Sequence, residues 1–404
     1  MANFDLMRLL AKPDGGKIIL LVLDGLGGLP TQSSDQSALE MAVTPEMDRL
    51  AAEGCLGLSH PIGRGITPGS GPAHLALFGY DPINNPVGRG VLSALGVGYD
   101  LQADDVAARG NFCTVDQDGL IVDRRAGRIS SEASLPLVTK LDGISIPGIK
   151  TTVMQVKEYR FMLALSGDGL NGNIADTDPQ KIGVKPLPAQ ALSSEAERTA
   201  GLVNQWLAAA GEALADDLPA NMATLRGFGQ DPNLPKFGEV YKLKAACVAV
   251  YPMYRGVARL VGMEVIETGE HASSRDEFSI VAENWDSYDF FFVHIKPTDS
   301  RGEDGDLEAK AAVVEEVDKA LGVLLDLQPD VLIVTGDHST PARLRSHSWH
   351  PVPTLLWAPA SHLQDNAQLF GEREAQKGGL GHFEATDIMP LALAHALRLK
   401  KYGA

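Results

Sequence analysis

A chain of 404 residues is long enough for two or three domains and a large core. Its 44% hydrophobic and 22% charged residues are those of an ordinary globular protein. A net charge of −17 speaks against nucleic acid or an anionic membrane as partner, because phosphate groups in bulk need basic surfaces. A small anionic substrate needs only a local cluster of cations and stays open. Three widely spaced cysteines, Cys55, Cys113 and Cys247, form no CxxC pair, which fits buried, reduced thiols in a cytoplasmic protein. The first residues show no basic stretch followed by an apolar one, so no secretory leader is expected. The longest apolar run, Ile18 to Leu23, is too short to span a bilayer, and no membrane partner is expected.

Lys17 to Leu23 is continuously apolar after its first residue and ends at Asp24-Gly25. Continuous apolarity without alternation predicts a strand buried on both faces, as in a parallel sheet covered by helices. A helix is expected over Pro45 to Glu53. Thr67-Pro68-Gly69-Ser70-Gly71-Pro72-Ala73-His74 reads as a tight turn that presents one hydroxyl at the mouth of a helix, which Gly79-Tyr80-Asp81-Pro82 stops. Gly69 and Gly71 would let the backbone there take positive φ or approach a bound group closely. A serine so placed exposes a nucleophile or a phosphate-binding hydroxyl. Taken alone it equally fits a helix N-cap, the commoner role of such serines.

From about Val106 to about Met263 the apolar runs are shorter, alternating and broken by turns. Ser193 to Leu214 reads as a long amphipathic helix and Lys242 to Tyr251 as a returning strand. The strand grammar of the beginning then returns. Phe290 to Ile295 leads into Lys296-Pro297-Thr298-Asp299, and Val331 to Thr335 leads into Gly336-Asp337-His338. Between them Leu307, Ala311, Val314, Val317, Leu321 and Leu324 fall at helical spacing, giving the strand–helix–strand unit of a right-handed parallel crossover. Thr386-Asp387 would cap a closing helix to about Leu399. Matching strand ends on both sides of the middle favour an inserted α+β domain over two sequential domains.

In open parallel sheets, ligands bind at the carboxyl ends of the strands. Asp24, Asp299, Asp337 and His338 follow apolar strands directly; Glu303 stands one helical turn after Asp299, and His347-Ser348-Trp349-His350 follows the Asp337-His338 turn. Carboxylates and imidazoles gathered in this way form a ligand set for divalent metals of the manganese and zinc class. Each alone also has an ordinary role: Asp24-Gly25 as a turn, Asp337 as a helix cap, Asp299 to Asp306 as a solvated acidic loop, His294 as a packed strand residue. Their joint placement at strand ends is what points to a site.

In combination the motifs resemble the alkaline phosphatase superfamily: Asp24-Gly25 after the first strand, Gly69-Ser70 with His74 four residues on, and Gly336-Asp337-His338-Ser339. More closely, the chain resembles the archaeal-type cofactor-independent phosphoglycerate mutases, also found in bacteria. Phe78-Gly79-Tyr80-Asp81-Pro82, Asp123-Arg124-Arg125-Ala126-Gly127-Arg128, Asp176-Thr177-Asp178-Pro179 and His347-Ser348-x-x-Pro351-Val352-Pro353 carry that likeness. It implies an α/β fold, a mostly parallel sheet with helices on both faces, interrupted by the inserted α+β domain. Residues 1–105 and 264–404 would be the phosphatase-like metal-binding catalytic domain, and 106–263 the substrate-binding lid.

The resemblance further implies two divalent ions, Mn2+ foremost with Zn2+, Co2+ or Mg2+ as alternatives, and no 2,3-bisphosphoglycerate. Ser70 would be the transiently phosphorylated nucleophile; Asp24, Ser70, Asp337 and His338 would hold one ion, and Asp299, Glu303 and His347 the other. Many relatives carry histidine where Glu303 stands. The implied reaction interconverts 3- and 2-phosphoglycerate. Arg124, Arg128, Arg160, Arg226 and Arg255, all expected in the insertion, are the candidates for gripping carboxylate and phosphate, and each also fits an exposed surface arginine. The same serine and metals would serve a phosphohydrolase, or a phosphotransferase acting on a small alcohol such as homoserine. A non-catalytic binding protein is a third reading, disfavoured because every motif position except Glu303 is retained.

Overall fold

The structure is a computed structural model that describes residues 3–32 and 34–403. In chain order its strands are β1 (Ile18–Leu23), β2 (Cys55–His60), β3 (Val106–Val115), β4 (Ile121–Asp123), β5 (Lys150–Lys157), β6 (Arg160–Ser166), β7 (Met222–Gly229), β8 (Ala245–Ala249), β9 (Glu264–Ile266), β10 (Phe290–Ile295), β11 (Val331–Thr335), β12 (Val352–Trp357) and β13 (Gly381–Glu384). The chain divides into two compact units, one built from the residues up to Pro86 and from Pro235 onward, the other from Val87 to Leu234.

The first unit holds an eight-stranded sheet in the order β13-β2-β12-β11-β1-β10-β8-β9. All six residues of β1 are fully buried, as their unbroken apolarity requires. Both neighbours of β1 run parallel to it, with Leu23 opposite Ile295 and Val22 opposite Thr335. Only β12 runs against its neighbours, β11 and β2. Ile19, Leu21 and Leu23 point to one face, where Met47, Leu50, Phe278, Val281, Val314 and Val317 from three helices cover them. On the opposite face Phe292 packs against His74 of helix Ser70–Leu77 and against Phe78, which caps that helix. Each such side chain removed from water contributes about 1.5–3 kcal/mol. That sheet and its two helical layers match the expected architecture.

The second unit is built on an antiparallel five-stranded sheet, in which β3 pairs with β4, β6 and β7, and β5 pairs with β6. Helix Glu197–Leu214 lays Val203, Trp206, Leu207 and Ala210 onto it. Phe161 is fully buried at its centre, with its ring 4.9 Å from Phe112 and 6.2 Å from Trp206.

The compact units depart from the expected boundaries of 106 and 263 at both ends. Residues 87–105 fall in the second unit, because helix Arg89–Gly96 packs on β3 and β7 and Gly90 lies flat against the Ala107 backbone, where a Cβ would collide. Residues 235–263 fall in the first, because β8 is a parallel neighbour of β10. A returning strand was legible there, but not the sheet it joins. The closing helix runs Ile388–His395, shorter than expected, since Leu397 turns left-handed (φ 58°) and Arg398 folds inward onto Pro13, Gly15, Gly16 and Asp289.

Truncating Phe161 to Ala removes the ring on which Phe112 and Trp206 close. It should lower the stability of the second unit by about 3–5 kcal/mol, read as a shifted urea midpoint in a denaturation followed by tryptophan fluorescence.

Candidate metal centre

The register of β1 with β10 and β11 brings three carboxyl ends to one edge, and the side chains that follow them converge. Asp24, Asp337 and His338 each bring a ligand atom within 4.8 Å of one another, and so do Asp299, His338 and His347. His338 therefore belongs to both groups. Asp24, Asp299, Asp337 and His338 are buried, and His347 is partly exposed.

Two local features set the backbone. Gly25 takes φ 62°, and a Cβ on it would lie 2.5 Å from the Thr340 hydroxyl. Its N–H donates to Asp337 Oδ1 at 3.0 Å, so the turn after β1 orients the carboxylate after β11. Neither Gly69 nor Gly71 takes a left-handed conformation; Gly69 is extended at φ −90° and precedes helix Ser70–Leu77. Ser70 is thus the first helical residue and not the N-cap, and its Oγ lies 3.1 Å from His338 Nε2. Positive φ is therefore not what these glycines supply, and a Cβ on Gly69 would meet only Pro72 Cδ, at 3.9 Å.

Hydrogen bonding fixes the imidazoles. Thr340 has one hydroxyl proton, and Asp299 Oδ1, 2.7 Å away, can only accept it. His338 Nδ1, 3.0 Å from the same hydroxyl, must then donate to it, which leaves Nε2 with a lone pair. That Nε2 faces Asp24 Oδ1 at 3.3 Å and Asp337 Oδ2 at 3.2 Å. His347 Nδ1 likewise donates to the Pro68 carbonyl at 3.0 Å, leaving its Nε2 3.6 Å from Asp299 Oδ1. His74 Nδ1 donates to the Ser70 carbonyl at 2.8 Å and stands 3.3 Å from Asp337 Oδ2. Burial pushes His74 down to about 3, with His294 adding to the effect, so the ring is neutral.

The acids are strongly coupled. Burial alone would raise Asp24, but Lys296, with His294 and His338, holds it well below the usual carboxylate range. Asp337 is pushed well above that range by burial and then by the charge of Asp24. Burial also holds His338 well below the ordinary imidazole range, outweighing Asp24. Asp24 Oδ1 and Asp337 Oδ2 are buried without a hydrogen-bond partner and face the His338 lone pair. Asp24 Oδ1, Asp337 Oδ2 and His338 Nε2 converge as a donor set that a divalent cation satisfies, and two carboxylates with one imidazole suit manganese or zinc. These residues fit a metal.

Sequence reasoning missed the partners behind the ligands. Lys296 Nζ sits between the clusters, 3.0 Å from Asp24 Oδ2 and 2.5 Å from Asp299 Oδ2. Burial opposes its charge, but Asp24 and Asp299 hold the ammonium well above the usual lysine range. A lysine directly after a parallel strand, three residues before an aspartate, was the available signal. Tyr254 donates its hydroxyl to Asp24 Oδ2 and stacks on His294, ring centroids 3.5 Å apart. Thr298 donates to the Asp24 carbonyl at 2.5 Å. No local pattern marks Tyr254 or Thr340; their roles depend on the tertiary fold.

Glu303 is exposed and lies outside both clusters. Helix Pro297–Asp304 buries Thr298, Asp299 and Gly302, and Glu303 lies about 40° beyond Asp299 on the side away from Gly302, at the exposed border of that face. His350 also lies outside both, 3.0 Å from the Ser348 hydroxyl through its Nδ1.

The five arginines do not form one group. In the second unit Arg124 donates to Asp178 at 3.2 and 2.8 Å, and Arg226 donates to Asp176 at 3.2 Å while lying 3.6 Å from Asp178. Burial raises Asp178, but the Arg124 hydrogen bond, followed by the Gln180 N–H and the charges of Arg124 and Arg226, holds it below the usual range. Arg160 pairs with Glu158 and the Tyr159 hydroxyl, and Arg128 is exposed on the turn after β4. Arg255 is not in the insertion. It belongs to the first unit, where it ties Ala249 at the end of β8 to Thr268 and Glu267.

Residues 51–221 match the family model described as 2,3-bisphosphoglycerate-independent phosphoglycerate mutase. A probable 2,3-bisphosphoglycerate-independent phosphoglycerate mutase of Thermus thermophilus is 50% identical over 407 residues, covering 100% of both chains. Its counterpart from Thermosipho africanus is 50% identical over 398 residues, 98% of each. Among solved structures, a Pyrococcus horikoshii protein superposes with a TM-score of 0.84 at 32% identity, covering 96% of this chain and 100% of that one. The cofactor-independent phosphoglycerate mutase of Thermoplasma acidophilum gives 0.71 at 31% identity, covering 94% and 100%. With identity of this extent along its whole length, the chain belongs to the 2,3-bisphosphoglycerate-independent phosphoglycerate mutase family.

Proposed function

We propose that the chain interconverts 3-phosphoglycerate and 2-phosphoglycerate through a phosphoserine at Ser70, with two divalent ions, manganese foremost, and without 2,3-bisphosphoglycerate. The observation that carries this reading is the half-buried Ser70 Oγ, 3.1 Å from His338 Nε2 and beside the Asp24–Asp337–His338 group. Asp24, Ser70, Asp337 and His338 would hold one ion. Asp299 and His347 would hold the other, with Glu303, exposed on the same helix as Asp299, as its proposed further donor. Bound cations supply charge stabilisation to the phosphoryl oxygens and favour the ionised form of a nearby hydroxyl.

The chain's own groups account for the rest. Ser70 Oγ forms a bond to phosphorus as the bond from phosphorus to the substrate's 3-oxygen breaks, giving phosphoserine and glycerate. The proton lost by the serine hydroxyl balances the one gained by the glycerate hydroxyl. Reorientation offers the 2-hydroxyl to the phosphoserine, and the reverse step regenerates Ser70. Lys296 keeps a positive charge at the strand ends, where phosphoryl oxygens would gather. Water must be excluded while the phosphoserine exists, and the unit from Val87 to Leu234 is proposed as the substrate-binding lid that does so. Arg124 and Arg226, beside Asp176 and Asp178, are its foremost phosphate- and carboxylate-gripping candidates, with Arg128 and Arg160 next. Among the described residues no helix is long and apolar enough to cross a membrane, and a glycolytic reaction would place the protein in the cytoplasm.

Full-length likeness to mutases supports this reading over a phosphohydrolase or a homoserine-kinase-like phosphotransferase. The deciding assay follows 2-phosphoglycerate formation without added 2,3-bisphosphoglycerate, beside release of inorganic phosphate. Isomer without phosphate is expected; phosphate without isomer would establish the hydrolase instead. Ser70→Ala should lower turnover by roughly 10⁴–10⁶-fold with an unchanged melting temperature, as for loss of a nucleophile. Near-normal turnover in that variant would remove Ser70 from the mechanism. Stripping with chelator should abolish isomerisation, and adding Mn2+ should restore it. Persistence of activity in chelator would refute the metal reading.

A further inference from the structure

Lys310 is a cation at the centre of the first unit that the chemistry above does not use. It stands near the start of helix Leu307–Ala320 and is fully buried. Its three N–H donors go to three backbone carbonyls: Gly25 at 2.7 Å, Thr340 at 2.9 Å and Gly27 at 3.1 Å. Burial pushes the ammonium down to about 8, with Glu372, Asp299 and Asp24 opposing. A buried cation is costly, and converging carbonyl dipoles repel one another without one. The two costs cancel only together.

The carbonyls it gathers belong to the segments that carry the metal-ligand candidates. Gly25 follows Asp24 directly, and Thr340 is two residues after His338. The Thr340 N–H itself bonds the carbonyls of Gly25 and Gly27, at 3.2 and 3.0 Å. The Thr340 hydroxyl holds Asp299 and the His338 ring. Gly302, on the helix of Asp299, lies so close to the Thr340 carbonyl that a Cβ would collide with it. From the other side Glu372 accepts the Gly28 N–H at 2.8 Å and the Ser37 hydroxyl. The turn after β1 is thus held by a buried cation on its carbonyls and a partly buried carboxylate on its amide.

We propose that Lys310 is a positioning residue that locks the turn after Asp24 to the segment after His338 and so presets the donor atoms of the metal centre. The inference rests on the metal reading given above, and one titration separates the two. Metal-stripped protein is titrated with Mn2+ by calorimetry, for the wild type, Lys310→Met and Arg398→Met. Arg398 is the control, since it is also buried and also holds backbone carbonyls, those of Pro13, Gly15 and Gly16 at the opposite end of β1. Lys310→Met should weaken Mn2+ binding at least tenfold, whereas Arg398→Met should lose thermal stability but keep Mn2+ affinity within about twofold. Equal affinity in folded Lys310→Met overturns the locking role alone. Absence of saturable Mn2+ binding by the wild type overturns the metal reading and this proposal with it.

Hydrogen exchange of the wild type in chelator decides the matter even if Lys310→Met does not fold. A preset turn keeps the amides of Gly25 and Thr340 protected without metal. Free exchange of those two amides, with β1 still protected, overturns the proposal.

Discussion

The rest of the structure depends on burying several carboxylates side by side at the edge of a parallel sheet. Each ion taken out of water costs several kcal/mol unless compensated. Here Asp24 and Asp337 both approach one imidazole nitrogen that carries no proton. Within the protein the compensation is divided: Lys296 and Tyr254 serve Asp24, and the Gly25 N–H serves Asp337. One oxygen of each carboxylate is left over, and the two leftovers point at the same nitrogen. The polarity of the site follows from that remainder.

Compensation also explains why the surrounding polar groups are so interlocked. Thr340 alone sets the tautomer of His338, orients Asp299, and closes the turn of Gly25 and Gly27 through its N–H. In a low-dielectric interior such a network gains from every satisfied member and loses heavily from a missing one. Substituting a residue behind the ligands therefore acts on several ligands at once.

Much of this was legible in the sequence, for a physical reason. Strands buried on both faces are unbroken apolar runs, so Ile18–Leu23, Phe290–Ile295 and Val331–Thr335 announced themselves, and the residues just after them had to lie at strand ends. Partners supplied from elsewhere were not legible. Tyr254 reaches Asp24 across 230 positions of sequence, and Lys310 reaches Gly25 across 285. The strand at Ala245–Ala249 was visible, but its membership of the large sheet depended on pairing with β10. Glu303 shows what spacing alone leaves open. Helical spacing from Asp299 suggested a shared face, but the direction of that face was set by the close fit of Gly302 against Thr340.

Register ties the apolar core to the site. Strand side chains alternate between faces, so a slip of one residue in β1 against β10 or β11 would move every core side chain of that strand to the wrong face. The same slip would move Asp24 away from Lys296 and from the N–H-fixed Asp337. Ile19, Leu21 and Leu23 hold the register through the core that Phe291, Val293 and Ile295 share with them. The apolar core thus specifies the site as well as stabilising the fold. A ligand atom placed by register can be costly in itself and still be held to within an ångström, because the stabilisation that holds it is gained several residues earlier along the strand.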